Sequence, residues 1–222
     1  MSLELFKLKK LKSLDSPVLI TGHTGFKGTW LMLLLDTLDI PYVGLSLEPS
    51  KDALYTKVRV SNLEKEIFGD IREVDLVDNV FSEHKPQVII HLAAQPLVID
   101  SYENPIETFE TNVMGTANVL DALLSQKNLQ AIGVVTTDKV YRNVNKTSGY
   151  VETEALGGQD PYSASKAMAD IAAQSWLSSF GNPPTAIARA GNVIGGGDIC
   201  ADRLIPDLAK ALISDETVNI RN

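Results

Sequence analysis

Residues 18–28, VLITGHTGFKG, constrain this chain more than any other stretch. An apolar run bounded by Pro17 stops at Thr21-Gly22; glycines follow at Gly22, Gly25 and Gly28, and an apolar helical pattern then runs through Trp30, Leu31, Leu34, Leu35 and Leu38. That order reads as strand, tight turn and helix. Glycines let the main chain turn sharply and lie against a diphosphate, whose charge the unpaired N–H groups at a helix start attract. The spacing is G-x-x-G-x-x-G, not the G-x-G-x-x-G of the common dinucleotide fingerprint. Glycines alone describe any flexible turn; the strand before them and the helix after them argue for a phosphate cradle.

The alternation continues downstream. Residues 41–47 (PYVGLSL) read as a second strand, 67–71 (IFGDI) as a short third, 87–92 (QVIIHL) as a buried fourth, 131–136 (AIGVVT) as a fifth and 185–189 (TAIAR) as a sixth. A long helix is expected over 105–124, and another opens at Asp160-Pro161. Strands alternating with helices imply a doubly wound parallel sheet with right-handed crossovers, whose carboxyl strand ends line one crevice. The second strand ends in Ser46, Leu47 and Glu48 with no arginine before Arg59, so a 2′-phosphate has no partner and NAD is expected over NADP. Asp70 can hydrogen-bond an adenine or cap the helix starting near Arg72. Ala93, Ala94 and Gln95 follow the fourth strand, where small residues let a flat group lie close. Asn112 in mid-helix is unfavourable without a partner and is expected to tie two strand ends together.

With 222 residues and 44% hydrophobic content the chain can bury a full core. A formal charge of −8 argues against non-specific nucleic-acid binding. No apolar run approaches the roughly 20 residues that span a bilayer, and a cytoplasmic, membrane-free protein is expected. Cys200 has no second cysteine to pair with, and the histidines are scattered, so neither a disulfide nor a metal site is indicated. His91, ending a buried strand, reads as a satisfied core histidine, and His84 as a surface residue beside Pro86. Within the glycine turn, Lys27 either approaches phosphates or lies in solvent, and His23 either contacts adenosine or fills the turn.

Tyr162 and Lys166 stand four apart at a helix start and so share one face. A tyrosine that takes a proton at neutral pH must lose about three units from its usual value near 10, roughly 4 kcal/mol of preferential phenolate stabilisation. A neighbouring ammonium and a cationic cofactor ring could supply it. Tyr-x-x-x-Lys alone is common by chance; following a glycine turn and a strand that ends in Thr136-Thr137-Asp138-Lys139, it is not.

On TGHTGFKGTWL (21–31), HLAAQPLV (91–98), TNVMGT (111–116), TTDKVY (136–141), DPYSASK (160–166), RAGNVIGGGD (189–198) and DRLIPD (202–207), the chain resembles the extended short-chain dehydrogenase/reductases, the NAD-dependent epimerase/dehydratase group that acts on nucleotide sugars. Within that group it is similar to the CDP-glucose branch of the 4,6-dehydratases. The resemblance implies a Rossmann-type sheet, bound NAD, and conversion of CDP-D-glucose to CDP-4-dehydro-6-deoxy-D-glucose by oxidation at C4, loss of water across C5 and C6, and hydride return to C6, for use in polysaccharide biosynthesis. It assigns Gly22, Gly25, Phe26, Lys27, Gly28, Asp70, Ile71, Leu92, Ala93, Ala94, Asn112, Tyr162 and Lys166 to the cofactor. Tyr162 would be the base at the C4 hydroxyl, Lys166 would lower its pKa, and Thr137 would hydrogen-bond the sugar. Asp138 would protonate the leaving C6 hydroxyl, a role that asks for a raised pKa in a water-poor site. Where broader sugar dehydratases carry Glu after that Asp, this chain has Lys139, as a base or as an electrostatic stabiliser of the enolate. Gln95, Thr137, Asn192 and Arg203 would face the substrate, Arg203 its diphosphate; the plain alternative for Arg203 is an ion pair with Asp202 or Asp207.

The expected domains are an N-terminal extension over 1–15, basic and partly amphipathic, an NAD-binding domain over 16–190, and the beginning of a smaller sugar-nucleotide domain over 191–222. The family continues past this point with an Arg-Pro-Trp segment, so the last domain is expected to be truncated and turnover to suffer. A homodimer through two helices per subunit is typical of the family. A 4-epimerase or reductase shares the turn, Tyr162 and Lys166 but does not need Asp138 beside an acid/base partner; a non-catalytic dinucleotide-binding regulator is the third reading.

Overall fold

The computed structural model describes residues 11, 13–180, 184–200 and 203–217; most of the expected extension over 1–15, and Asp202, lie outside them. Six strands form one sheet: β1 (Val18–Thr21), β2 (Tyr42–Ser46), β3 (Leu63–Phe68), β4 (Val88–His91), β5 (Ala131–Thr137) and β6 (Thr185–Ala190), in the order β3-β2-β1-β4-β5-β6. All neighbouring pairs are parallel. The helices are α1 (Phe26–Thr37), α2 (Val74–His84), α3 (Val98–Glu103), α4 (Pro105–Phe109), α5 (Thr116–Ala122), α6 (Pro161–Phe180) and α7 (Leu204–Ser214). None of them is long and apolar enough to cross a membrane.

Side chains of β1 alternate between two cores, as a strand covered on both faces requires. Val18 and Ile20 pack with Met32, Leu35 and Tyr42 on the α1 side. Leu19 joins Val77, Phe81, Val119, Leu120 and Ala173 on the face that α2, α5 and α6 cover. The strand order reverses between β1 and β4, and ligands of such sheets bind outside the carboxyl ends at that switch point.

Three expectations are corrected. The third strand runs Leu63–Phe68 rather than 67–71: as an edge strand with a solvated face it accommodates Glu64 and Lys65, whose charges hide it from an apolar-run reading. Helix α2 starts at Val74 with Glu73 at its cap, so Asp70 caps no helix; its Oδ1 instead accepts the Arg72 N–H at 2.8 Å in the preceding turn. The helix expected over 105–124 is also interrupted, by a π-turn at Glu110–Gly115 and by a closing 3-10 turn at Leu123–Ser125. Gly115 within the π-turn gives room to Ile71, whose Cδ1 would lie 2.6 Å from an added Cβ.

Candidate active site

Because the strands are parallel, the segments that follow them emerge on one edge of the sheet. The turn after β1 is built to be lined by backbone. Gly22 has φ +77°, and a Cβ there would stand 2.6 Å from the Ala93 nitrogen; a Cβ on Gly28 would stand 2.2 Å from the Gly22 carbonyl oxygen. Gly25 sits at the α1 N-cap with no side-chain cap, leaving the first helical N–H groups to a ligand or to water. His23 fills the turn: it is fully buried, its ring lies where any Gly44 side chain would go, and Nε2 meets Glu66 Oε1 at 3.1 Å. Lys27 is exposed along its flank; desolvation and then the nearby Arg203 charge lower its pKa. Phe26, Lys27 and Trp30 face Val193 to Gly196 across a recess of about 430 Å³, and Trp30 Nε1 donates to the Gly196 carbonyl at 3.1 Å.

After β2, Thr24 Oγ1 bonds Ser46 Oγ at 2.7 Å and donates to the Leu47 carbonyl at 3.0 Å. After β3, both Arg72 Nε (2.9 Å) and Nη2 (2.6 Å) hold Asp70 Oδ2. Burial raises the Asp70 pKa, but its hydrogen bonds to Arg72 outweigh that and hold the carboxyl below its usual range. After β4, Leu92 and Ala93 lie against Gly22, and Ala94 follows them on the same loop. The Gln95 side chain turns back on its own loop, donating to the Leu97 carbonyl at 3.0 Å and to Thr108 Oγ1 at 2.9 Å. Asn112, wholly buried in the π-turn, accepts from the Gln95 N–H at 2.8 Å and donates to the Gln95 carbonyl at 3.1 Å and to Ser165 Oγ at 2.9 Å. It ties one strand end to helix α6, not two strand ends to each other.

After β5, Thr137 is buried, and its one hydroxyl hydrogen can go either to Asp138 Oδ1, at 3.1 Å, or to the Tyr162 hydroxyl, whose pKa it lowers when donated there. Asp138 and Lys139 are exposed on the crevice wall, so the described residues do not enclose the acid. Asp160 caps α6 by accepting the Ser163 N–H at 2.8 Å, and Ser101 Oγ accepts the Tyr162 N–H at 3.1 Å; these two contacts fix the helix start. Burial raises the Tyr162 pKa, against the Thr137 hydrogen bond and the Arg203 charge, which lower it. Lys166 is buried, donates from Nζ to the Val135 carbonyl at 3.0 Å, and is pulled down to about 8 by desolvation and by Lys27. The groups that lower the Tyr162 pKa here are Thr137 and Arg203; Lys166 turns one of its three N–H donors to the Val135 carbonyl.

One turn beyond Lys166, on the same face, Asp170 is wholly buried. Its carboxylate accepts from Arg189 Nε (2.8 Å) and Nη2 (2.9 Å), from Gln174 Nε2 (2.6 Å) and from Thr136 Oγ1 (3.2 Å). Arg189 Nη1 in turn donates to the Tyr141 hydroxyl at 3.1 Å and the Glu152 carbonyl at 2.9 Å, so one ion pair fastens α6, β6 and the loop after β5. The sequence reading missed this pair. Its available signal was a carboxyl placed one turn after the lysine. Asp138, Lys139, Tyr141, Asp160, Ser163 and Arg189 line a crevice of about 1180 Å³ along the β6 edge. Asn192 is exposed on the loop after β6, and Arg203 pairs with Asp198 at 3.1 Å rather than with Asp207. Among the described residues no group of His, Cys, Asp and Glu could hold a metal ion.

The chain is 44% identical over 214 residues to a CDP-glucose 4,6-dehydratase of Salmonella typhimurium, covering 92% of this chain and 60% of that protein. It is 32% identical over 197 residues to a CDP-paratose 2-epimerase of Salmonella typhi, covering 81% of this chain and 58% of that one. Among solved structures, the dTDP-glucose 4,6-dehydratase DesIV of Streptomyces venezuelae with NAD and TYD bound superposes with a TM-score of 0.79 at 27% identity, over 91% of this chain and 63% of that one. The chain thus spans about 60% of the length of the curated dehydratase it matches. The profile of one family matches residues 18–221, and on that match this chain belongs to the NAD dependent epimerase/dehydratase family.

Proposed function

We propose that this protein is an NAD-dependent nucleotide-sugar 4,6-dehydratase, a hydro-lyase acting on CDP-D-glucose in the cytoplasm. The observation that carries the reading is the Asp138 carboxyl beside Thr137 and the Tyr162 hydroxyl, in a chain 44% identical to a CDP-glucose 4,6-dehydratase. A 4-epimerase needs the Thr-Tyr-Lys part of this set and has no use for the acid.

The turn fits a dinucleotide. Side chains are excluded at Gly22 and Gly28 by the backbone itself, Ala93 and Ala94 face the same edge, and Asp70 keeps an ionised carboxylate at the β3 end. Gly22, Gly25, Phe26, Lys27 and Gly28 would hold the diphosphate, Asp70 and Ile71 the adenine, Leu92, Ala93 and Ala94 the path between, and Lys166 with Tyr162 the nicotinamide ribose; Asn112 would hold their loops in place. When bound, NAD supplies reversible hydride storage between C4 and C6. Tyr162 takes the C4 hydroxyl proton, with Thr137 sharing that hydrogen bond. Asp138 gives a proton to the departing C6 hydroxyl. Lys139 stands next to Asp138 and would act at C5, taking the proton or stabilising the enolate. Asn192 and Arg203 meet the sugar nucleotide, the guanidinium at its diphosphate.

Homodimerisation is the second part of the proposal. Ile99, Tyr102, Ile106 and Met114 on α3, α4 and the π-turn, with Met168 and Ile171 on the adjacent α6, are all exposed and apolar. A second copy of this face would cover them, and sedimentation equilibrium that finds only monomer would end that part.

The deciding assay incubates the purified protein with NAD and either CDP-glucose or dTDP-glucose and follows the product mass. Loss of one water from the CDP sugar alone supports the dehydratase. Inverted stereochemistry without mass loss, and without solvent deuterium at C5, moves the reading to the epimerase.

A further inference from the structure

His91 does more than fill a core. Its Nδ1 lies 2.7 Å from Thr21 Oγ1 and its Nε2 lies 3.0 Å from Thr116 Oγ1, and all three residues are buried. The hydrogen positions follow from the neighbours. Thr116 has one hydroxyl hydrogen, and it goes to the Asn112 carbonyl at 2.7 Å, an oxygen that can only accept. His91 Nε2 must therefore donate to Thr116. At the other end, the Leu92 N–H goes to the Thr21 carbonyl at 3.0 Å and is shared with Thr21 Oγ1 at 3.2 Å, and the Ala93 N–H reaches that hydroxyl oxygen at 3.3 Å; with two N–H groups turned to its oxygen, the Thr21 hydrogen is directed at His91 Nδ1, which accepts. The Thr116 end requires a neutral ring with its hydrogen on Nε2, and the Thr21 end agrees with it. Burial and the nearby Lys166 charge hold the His91 pKa down to about 3, which agrees.

The donors therefore run in one direction: Thr21 hydroxyl to His91, His91 to Thr116, Thr116 to the Asn112 carbonyl. The Asn112 side chain then donates to Ser165 Oγ, and Ser165 donates to the Tyr162 carbonyl at 2.8 Å. Thr21 immediately precedes Gly22, and Ser165 immediately precedes Lys166. The links from Thr21 to Ser165 are buried, so no water can substitute for a lost partner there.

We propose that His91, fixed as its Nε2–H tautomer, is a positioning residue that registers the glycine turn against the start of helix α6. Its consequence for NAD binding rests on the function proposed above; its tautomer and its effect on the backbone do not.

The test uses nitrogen NMR of the His91 ring, amide hydrogen exchange and NAD titration calorimetry on the protein and on Thr116→Val and Thr116→Ser. The unsubstituted protein shows the Nε2–H signature. Thr116→Val removes the acceptor and leaves the Nε2–H without a partner while Thr21 still holds Nδ1, so the Nε2 resonance shifts; protection of the Leu92 and Ala93 amides falls beyond the global loss of stability, and NAD binds roughly two- to tenfold more weakly, the range of one buried hydrogen bond. Thr116→Ser keeps the hydroxyl and restores all three. An Nδ1–H or protonated ring in the unsubstituted protein overturns the inference on its own, even if Thr116→Val does not fold. Unchanged Leu92 and Ala93 protection in a folded Thr116→Val overturns it as well. Failure of the unsubstituted protein to bind NAD refutes the proposed function, and the tautomer and exchange results still decide this inference.

Discussion

Replacing Arg189 by Met tests the scaffold of the site most severely. The Asp170 carboxylate is fully buried and gives two of its four hydrogen bonds to Arg189. Removing the guanidinium strands a charge in the interior, and breaking a buried pair from one side costs about 3–5 kcal/mol. Stability of such domains is about 5–15 kcal/mol, so the loss is about a fifth of the total or more, or roughly 6–20 °C in melting temperature at ~2–4 °C per kcal/mol. The pH dependence has a definite sign. In the parent, hydrogen bonds from Arg189 and Gln174 outweigh burial and hold the Asp170 pKa below its usual value, so its contribution is complete above the unfolded pKa of about 3.9 and is lost as pH falls through the lower folded value. In Arg189→Met the unpaired carboxyl is pushed above the unfolded value, and the penalty fades as acid protonates it. The gap between parent and variant, measured by urea unfolding, is therefore widest at pH 7 and narrows toward pH 4. Adding Asp170→Asn removes the stranded charge while retaining amide bonds to Gln174 and Thr136, and recovers most of the loss. A deficit below about 1 kcal/mol at pH 7, or one that stays constant down to pH 4, would refute the reasoning.

Gly28→Ala places a Cβ 2.2 Å from the Gly22 carbonyl and should abolish measurable NAD binding in calorimetry while far-UV dichroism still reports the fold. Tyr162→Phe should cut turnover by about 10²–10⁴ with NAD affinity kept within a few-fold, separating proton transfer from binding. Lys166→Met should end turnover yet stabilise the protein at pH 7 by up to ~3 kcal/mol, because the buried ammonium titrates at about 8 instead of near 10.4. The parent alone should gain stability as pH rises from 8 toward 10, where its unfolded state binds the extra proton and its folded state does not.

The parts of the molecule legible in the sequence are those whose cause is local. The strand, glycine turn and α1 are written in residues 18–38, and β1, β4 and β5 are short apolar runs because both faces of the sheet are covered. Edge strand β3 was misplaced since its solvated face tolerates charge, and the π-turn at Glu110–Gly115 was missed because no period announces one extra residue in a helical turn. Tyr162 and Lys166 could be placed on one face from their spacing, but the hydroxyl that Tyr162 meets comes from Thr137, and the oxygen that Lys166 meets is a backbone carbonyl of β5. Backbone partners leave no mark on residue identity.

What holds the site follows from that distinction. The helix carrying Tyr162 packs through small side chains at Ala167, Ala169 and Ala173, which bring its axis close to the sheet but bury little area each. Its orientation is set instead by polar contacts at its start and its middle: Ser101, Asp160 and Asn112 around its first turns, and Asp170 with Arg189 two turns on. Apolar packing tolerates a shift of a fraction of an ångström, whereas a buried hydrogen bond that loses its partner cannot fall back on water. A helix held this way keeps Lys166 buried at a cost in stability, and Arg189 offsets part of that cost through Asp170, whose charge raises the lysine's pKa against desolvation. The pair that stabilises the fold and the lysine that serves the chemistry are thus coupled through one carboxylate.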